Sequence, residues 1–447
     1  MEGDLILISR FVIEAQTPIC ISAGSDDTIS HAITARDVNQ LPYIPASTIK
    51  GVIFKELDIS RNKKNDIIIP YISFTDALMT NECSRVIDGR KNENIFKGNQ
   101  NYLGKFERLP IRHHATTNSK GSSSFDTKGI NNEQVIYKGT RFVFEIEMRY
   151  DSDSMLGEDF FDEIIRLLTF SPIRFGRGSR RGFGKIKLVK CLRAQVHMNN
   201  EKERTEYLKK SGKLDAKFSL FEEYSPKPDV NVKTDSKWRT YTLSLTPRDF
   251  FIFGATTEEE NIDYHSAIEY YIEWEEFKGA EFKKGYLIPA SAIKGALHHR
   301  TIYHYCKLKE IYEDNSSLFA EVDNMVGQLF GGRMNDSRSF KKGNIILSDI
   351  FIPKNDADDI YFNNIGIDRL TGKQFERAFY SQKVTRLKNN DTNNPIKIEI
   401  YVKEDVVEED VIKAFRKSLK DVCKGRLALG RGNNLGMGFF EGCYVIK

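Results

Sequence analysis

The sequence predicts an α+β chain of two tandem ferredoxin-like (βαββαβ-type) domains with insertions. Three observations carry that prediction. The octapeptide IPASTIKG at 44–51 returns as IPASAIKG at 288–295. A glycine-rich stretch, FGRGSRRGFGKIKL at 175–188, returns as LGRGNNLGMGFFEG at 429–442. Around both pairs the apolar pattern runs in the same order of strand, helix, strand, helix, glycine-rich loop and strand, with a period far too long for a solenoid.

Each element has its own justification. Residues 10–18 (RFVIEAQTP) and 239–247 (RTYTLSLTP) alternate as strands do, and both end in Thr-Pro. A loop follows each, containing Gly24 and Gly254. In the IPASxIKG segments a Pro turn precedes a helix start. Ser47 and Ser291 are placed there as N-caps, their hydroxyls accepting first-turn N–H groups. Segments 141–148 and 396–402 alternate as strands. In 408–423, Ile412, Phe415, Leu419 and Val422 share one helical face and acids gather at the start; 160–169 is the shorter counterpart. Residues 195–237 are polar and Lys-rich, contain Ser-Pro-Lys-Pro, and read as a linker with one weakly amphipathic helix near 201–210. The expected division is 1–194, a linker 195–237, and 238–447.

A net charge of +4 does not by itself point to a nucleic-acid partner, so the placement of the cations has to. The six cysteines, Cys20, Cys83, Cys191, Cys306, Cys423 and Cys443, form no CxxC pair, which argues against a disulfide framework or zinc knuckle. Acids at positions 2 and 4 and the absence of any long apolar run exclude a signal peptide or membrane span, so a cytoplasmic protein is expected. No GxxxxGK[ST] is present. GRGSRRG precedes a strand, whereas a dinucleotide-binding loop follows one. His298, His299, His304 and Cys306 offer no His pair at i, i+4 and read as structural rather than metal-binding.

The first glycine-rich loop sits among Arg174, Arg177, Arg180, Arg181, Lys185 and Lys187, with no acid between 174 and 187. Glycine lacks a Cβ, so a ligand can approach such a backbone closely, and the cations suit a phosphodiester chain. Phe183 is placed to stack on a base. The second loop carries Lys424, Arg426 and Arg431, with no acid from there until Glu441. Lys50 and Lys294, read as lying in the first turns of the IPASxIKG helices, oppose the helix macrodipole unless an anion joins them. A solvated turn is the plain alternative for one loop. Two copies in equivalent places argue against it.

Taken together, these motifs resemble the RAMP superfamily of CRISPR-associated proteins. The resemblance rests on the early strand, the IPASxIKG helix start, SFTDA at 73–77, LSDI at 347–350, GQLFGG at 327–332, IGIDRLTG at 365–372 and the terminal GRG loop. It covers nearly the whole chain in two copies. It implies RRM-like domains and, more narrowly, a fused pair of backbone subunits of a type III effector. The expected partners are a guide RNA, a complementary target RNA and other effector subunits, with no membrane. By this resemblance the glycine-rich loops and helix-start lysines contact the guide, and the IDRLTG region, including Arg369, forms a hairpin that displaces a guide base. IRHHATT at 111–117 is the departing equivalent in the first copy.

Some relatives cut the target with an aspartate in the loop after the first strand. A divalent cation such as Mg2+ assists, and a ribose 2′-hydroxyl attacks the adjacent phosphate. Asp263, in NIDYHSAI, matches that position best, followed by Asp27 and Asp26 in the first copy, where His31 stands near the usual acid. Two alternatives stand beside this. One is an endoribonuclease that processes the guide precursor, for which His31 is available. The other is a non-catalytic subunit capping one end of the filament.

Overall fold

In the computed structural model, residues 4–23, 33–57, 72–91, 102–115, 130–150, 155–225, 238–254, 262–312, 316–333, 340–388 and 395–447 are described. Strand β1 (Leu5–Ala15) is the axis of the first sheet. Its alternation sends Leu7, Phe11 and Ile13 to one face and Ile6 and Ile8 to the other. Helix α1 (Ala46–Glu56), β2 (Ile72–Phe74), β3 (Arg141–Tyr150), α2 (Met155–Phe170) and β4 (Ile186–His197) follow. The strands align antiparallel in the order β2-β3-β1-β4, the ferredoxin-like arrangement. Phe11 faces Phe144 in register, their rings 5.0 Å apart and stacked. Ile49 and Ile53 of α1 and Phe161, Ile164 and Leu168 of α2 close the core over that face. Each such buried side chain contributes ~1.5–3 kcal/mol.

The opposite face of the sheet is covered by the stretch expected as a linker. β4 runs on to His197, and α3 (Glu201–Lys209) begins under an Asn200 cap, whose side chain accepts the Lys202 N–H. Phe218 then packs on Ile6, Ile8, Ala194 and Val196. Residues 195–237 are therefore not a tether along their whole length. An apolar sheet face needs cover, and this stretch supplies it. Residues 226–237 lie outside the described residues.

The second copy repeats the plan with larger insertions. Its elements are β5 (Arg239–Pro247), β6 (Ile268–Glu275), β7 (Gly279–Ile288), α4 (Ala290–Leu308), α5 (Ser316–Phe330), β8 (Ile345–Leu347), β9 (Ala357–Ile367), β10 (Gln374–Leu387), β11 (Ile396–Val402), α6 (Glu409–Cys423) and β12 (Phe440–Ile446). The order β8-β11-β5-β12 is again ferredoxin-like. Ile412, Phe415, Leu419 and Val422 of α6 are buried on the face that the 3.6-residue period predicts. β9 and β10 form a long antiparallel hairpin outside that sheet.

The chain divides into two compact units, and each includes a short piece of the other copy's sequence. The first unit is 1–179, 183–233 and 271–283; the second is 180–182, 234–270 and 284–447. Within the first, Trp274 donates its indole N–H to the Gly139 carbonyl at 2.7 Å and lies 3.8 Å from the Arg141 guanidinium. Phe282 packs among Tyr102, Phe106 and Tyr137 at ring distances of 5.6, 5.8 and 5.0 Å.

Candidate nucleic-acid interface

The two glycine-rich loops share one backbone. Gly176, Gly178, Gly182 and Gly184 have φ of 84°, 69°, 113° and 82°, and Gly430, Gly432, Gly436 and Gly438 have 90°, 83°, 82° and 77°. The first pair shows why glycine is required. A Cβ on Gly176 would meet the Cys20 carbonyl oxygen at 2.2 Å, and one on Gly430 the Ile252 oxygen at 2.3 Å. The next N–H groups donate to those same oxygens: Arg177 to Cys20 and Arg431 to Ile252, both at 2.8 Å. Gly184 donates to Pro18 and Gly438 to Phe250, again at 2.8 Å.

These bonds correct the sequence reading. Those N–H groups hold the loop against the segment after the first strand, and they do not form an open anion cradle. What each loop presents outward is a side chain, exposed Arg177 in one and exposed Arg431 in the other. Phe183 is fully buried beside Cys20 and Val135, so it cannot stack on a base. Met437 takes the matching place against Ile252 and Val384. Arg174 is likewise buried, in a bridge with Lys185.

The helix starts also differ from expectation in their caps. α1 and α4 begin at Ala46 and Ala290, with Pro45 and Pro289 at the cap positions and the serines inside the first turn. The Ala46 N–H donates to Asp76 Oδ1 at 2.7 Å and the Ala290 N–H to Asp349 Oδ1 at 2.8 Å. The caps are therefore the aspartates of SFTDA and LSDI, reaching across from the neighbouring strand segment in both copies. Lys50 and Lys294 are the fifth residues of their helices, just past the first turn.

Around the start of α4, the second unit gathers four cations, Arg180, Arg181, Lys294 and Lys403. The Arg180 Nε donates to the Gly343 carbonyl at 2.9 Å, and its guanidinium lies 5.0 Å from the Trp238 ring. The Lys403 ammonium lies 4.5 Å from the same ring. Gly182 lets this segment lie on the capped helix start, since a Cβ there would meet Asp349 Oδ1 at 2.3 Å. Burial first, and then the charges of Arg180 and Arg181, push the Lys294 ammonium down to about 8. An anion entering here offsets the repulsion from the two arginines and favours the charged ammonium.

The second loop borders the root of the β9–β10 hairpin. The Arg431 guanidinium lies 3.4 Å over the Tyr264 ring, which sits 5.9 Å from Tyr380. Next to Tyr264, exposed Asp263 accepts from the Ser381 N–H at 2.8 Å and the Ser381 hydroxyl at 3.2 Å, both at Oδ2. Asp26, Asp27 and His31 lie outside the described residues. Among the described residues no group of three or more His, Cys, Asp or Glu could hold a metal, so Asp263 stands as a single carboxylate. His304 instead pairs with Asp421 at 2.7 Å, together with Arg300.

At the hairpin tip, Asp368 accepts the Leu370 N–H at 2.9 Å and the Thr371 hydroxyl at 2.8 Å. Those bonds, the Leu370 N–H first, hold its carboxyl below the usual range. Arg369 and Leu370 are left exposed, Leu370 at 96%. Tyr361, Ile365 and Ile367 share one exposed face of β9, an apolar stripe that sequence reading missed. Its signal was present as alternation beside the IDRLTG motif. Arg426 is exposed after α6, its N–H tied to the Asp421 carbonyl at 2.7 Å. In the first copy, His113 Nδ1 lies 2.6 Å from Asn132 Oδ1 in a two-stranded ladder. No helix among the described residues is long and apolar enough to cross a membrane.

A family model described as the RAMP superfamily matches residues 12–187 and 279–441. No curated protein matches the chain.

Proposed function

The chain belongs to the RAMP superfamily, with two such domains in tandem and the CRISPR-associated RNA-binding role this membership carries, and from that premise we propose that it is a backbone subunit of a type III CRISPR ribonucleoprotein, holding a guide RNA and presenting it to complementary target RNA. One observation supports this most: both copies carry a glycine-rich loop of the same backbone, each with an exposed arginine near its start, Arg177 and Arg431. Charge neutralisation of a phosphodiester chain is the chemistry such repeated cations serve. Arg180, Arg181 and partly buried Lys294 supply a further cluster of cations. Lys50, Lys185, Arg369 and Arg426 extend the proposed contacts. Buried Arg174 serves by holding the loop.

The β9–β10 hairpin fits a base-displacing role, because its exposed Leu370 and the apolar stripe of β9 favour contact with unstacked bases over water. Asp263 is the proposed cleavage residue. Its Oδ2 is fixed by Ser381, leaving Oδ1 for a hydroxyl proton or a divalent cation such as Mg2+. A metal bound there would supply electrostatic stabilisation of the phosphate. Other effector subunits are the proposed protein partners.

The test is purification with co-expressed neighbouring proteins, followed by sequencing of the bound RNA. A defined population of short transcripts sharing a repeat-derived end is expected. Absence of RNA, or random cellular RNA, contradicts the proposal.

A further inference from the structure

The face of the first unit's sheet turned away from α1 and α2 holds a cavity of about 990 Å3 that the interface above does not use. We propose that it binds a nucleotide, taking the base on an apolar floor and the phosphate on a cationic rim. Val12 and Val143, from adjacent strands, and Ile87 form the floor. Arg85, Lys91 and Lys217 stand at the rim, all exposed and without an ion pair among the described residues. Among the described residues Asp215 is the one acid in the lining. A carboxylate at that position accepts from a ribose hydroxyl or a base amino group, which favours a nucleotide over a bare phosphate. The volume lies at the upper end of the ~300–1,000 Å3 typical of small-ligand sites.

The wall at 214–217 is built, not incidental. The Leu214 N–H donates to Asp88 Oδ2 at 2.7 Å, and Arg10 Nη1 donates to the Ala216 carbonyl at 2.7 Å. Arg10 and Lys210 both pair with Glu145, at 2.7 Å each, so their charges are committed beneath the wall. The rim cations are thus left to meet a ligand. The ligand nucleotide could be free or part of a single strand, and the chemistry is the same.

Isothermal titration of the full chain with AMP, with UMP and with a single-stranded RNA pentamer distinguishes these sources. In an Arg177→Glu, Arg431→Glu background, which removes the outward loop arginines of the proposed guide interface, the expected result is saturable one-site binding, weakened tenfold or more by adding Arg85→Glu with Lys217→Glu. Binding of the mononucleotides marks a free-nucleotide site; binding of the pentamer alone, with the same variant response, marks a strand nucleotide. Asp215→Asn should weaken AMP more than inorganic phosphate. No saturable binding of any probe, or equal affinity in the rim variant whose thermal unfolding matches the parent chain, overturns the proposal.

Discussion

Lys294 ties charge to function most directly. Its ammonium is pushed from the usual 10.5 down to about 8 in the free protein. Between those values the unfolded chain binds more protons than the folded one, so this group's contribution makes stability rise with pH across about 8 to 10.5. Phosphate binding has the opposite sign. An anion restores the ammonium, the complex takes up a proton, and RNA affinity should fall as pH climbs through about 8. Fluorescence anisotropy from pH 7 to 10 checks this, with Lys294→Arg expected to flatten the curve. Asp263→Ala should leave assembly intact and remove one cut in a complementary RNA; an unchanged cleavage ladder excludes Asp263. Sequence located the outward arginines because composition marks charge. It misplaced Phe183, because its burial depends on Cys20 and Val135 approaching from elsewhere in the fold, and Arg174, because its burial depends on the loop folding back to pair it with Lys185.

At the scale of elements, the two copies repeat contacts as well as strands. Asp76 and Asp349 cap equivalent helices from equivalent neighbours. Removing either cap, as Asp76→Ala or Asp349→Ala, should cost about 1 kcal/mol, read as a lower denaturant midpoint. Gly430→Ala should do more damage, because it combines a φ of 90° with a Cβ 2.3 Å from a carbonyl oxygen. Lost RNA binding by that variant in a still-folded chain would locate the effect in the loop. Strand and helix order were legible from period alone. The caps were not, since a Ser inside the motif competes on paper with an Asp that only folding brings near. The hairpin stripe escaped notice because apolar alternation ordinarily signals a buried face, and here it faces outward.

At the scale of the whole molecule, the compact units do not coincide with the repeats in sequence. The 271–283 segment lends Trp274 and Phe282 to the first unit, while 180–182 joins the second. Trp274→Ala should therefore lower the stability of the first unit by about 2 kcal/mol, less than the ~3–5 of a fully buried ring. Proteolysis or hydrogen exchange along residues 102–150 would report it. Local pattern cannot reveal such an exchange, because a short strand pair looks the same whichever core it completes. The central claim is that repeated cations grip an RNA backbone, and salt dependence tests it most directly. Arg177→Glu with Arg180→Glu should reduce the slope of log affinity against log salt by about 1.4, about 0.7 for each lost cation on a single strand. A slope identical to that of the parent protein contradicts the account.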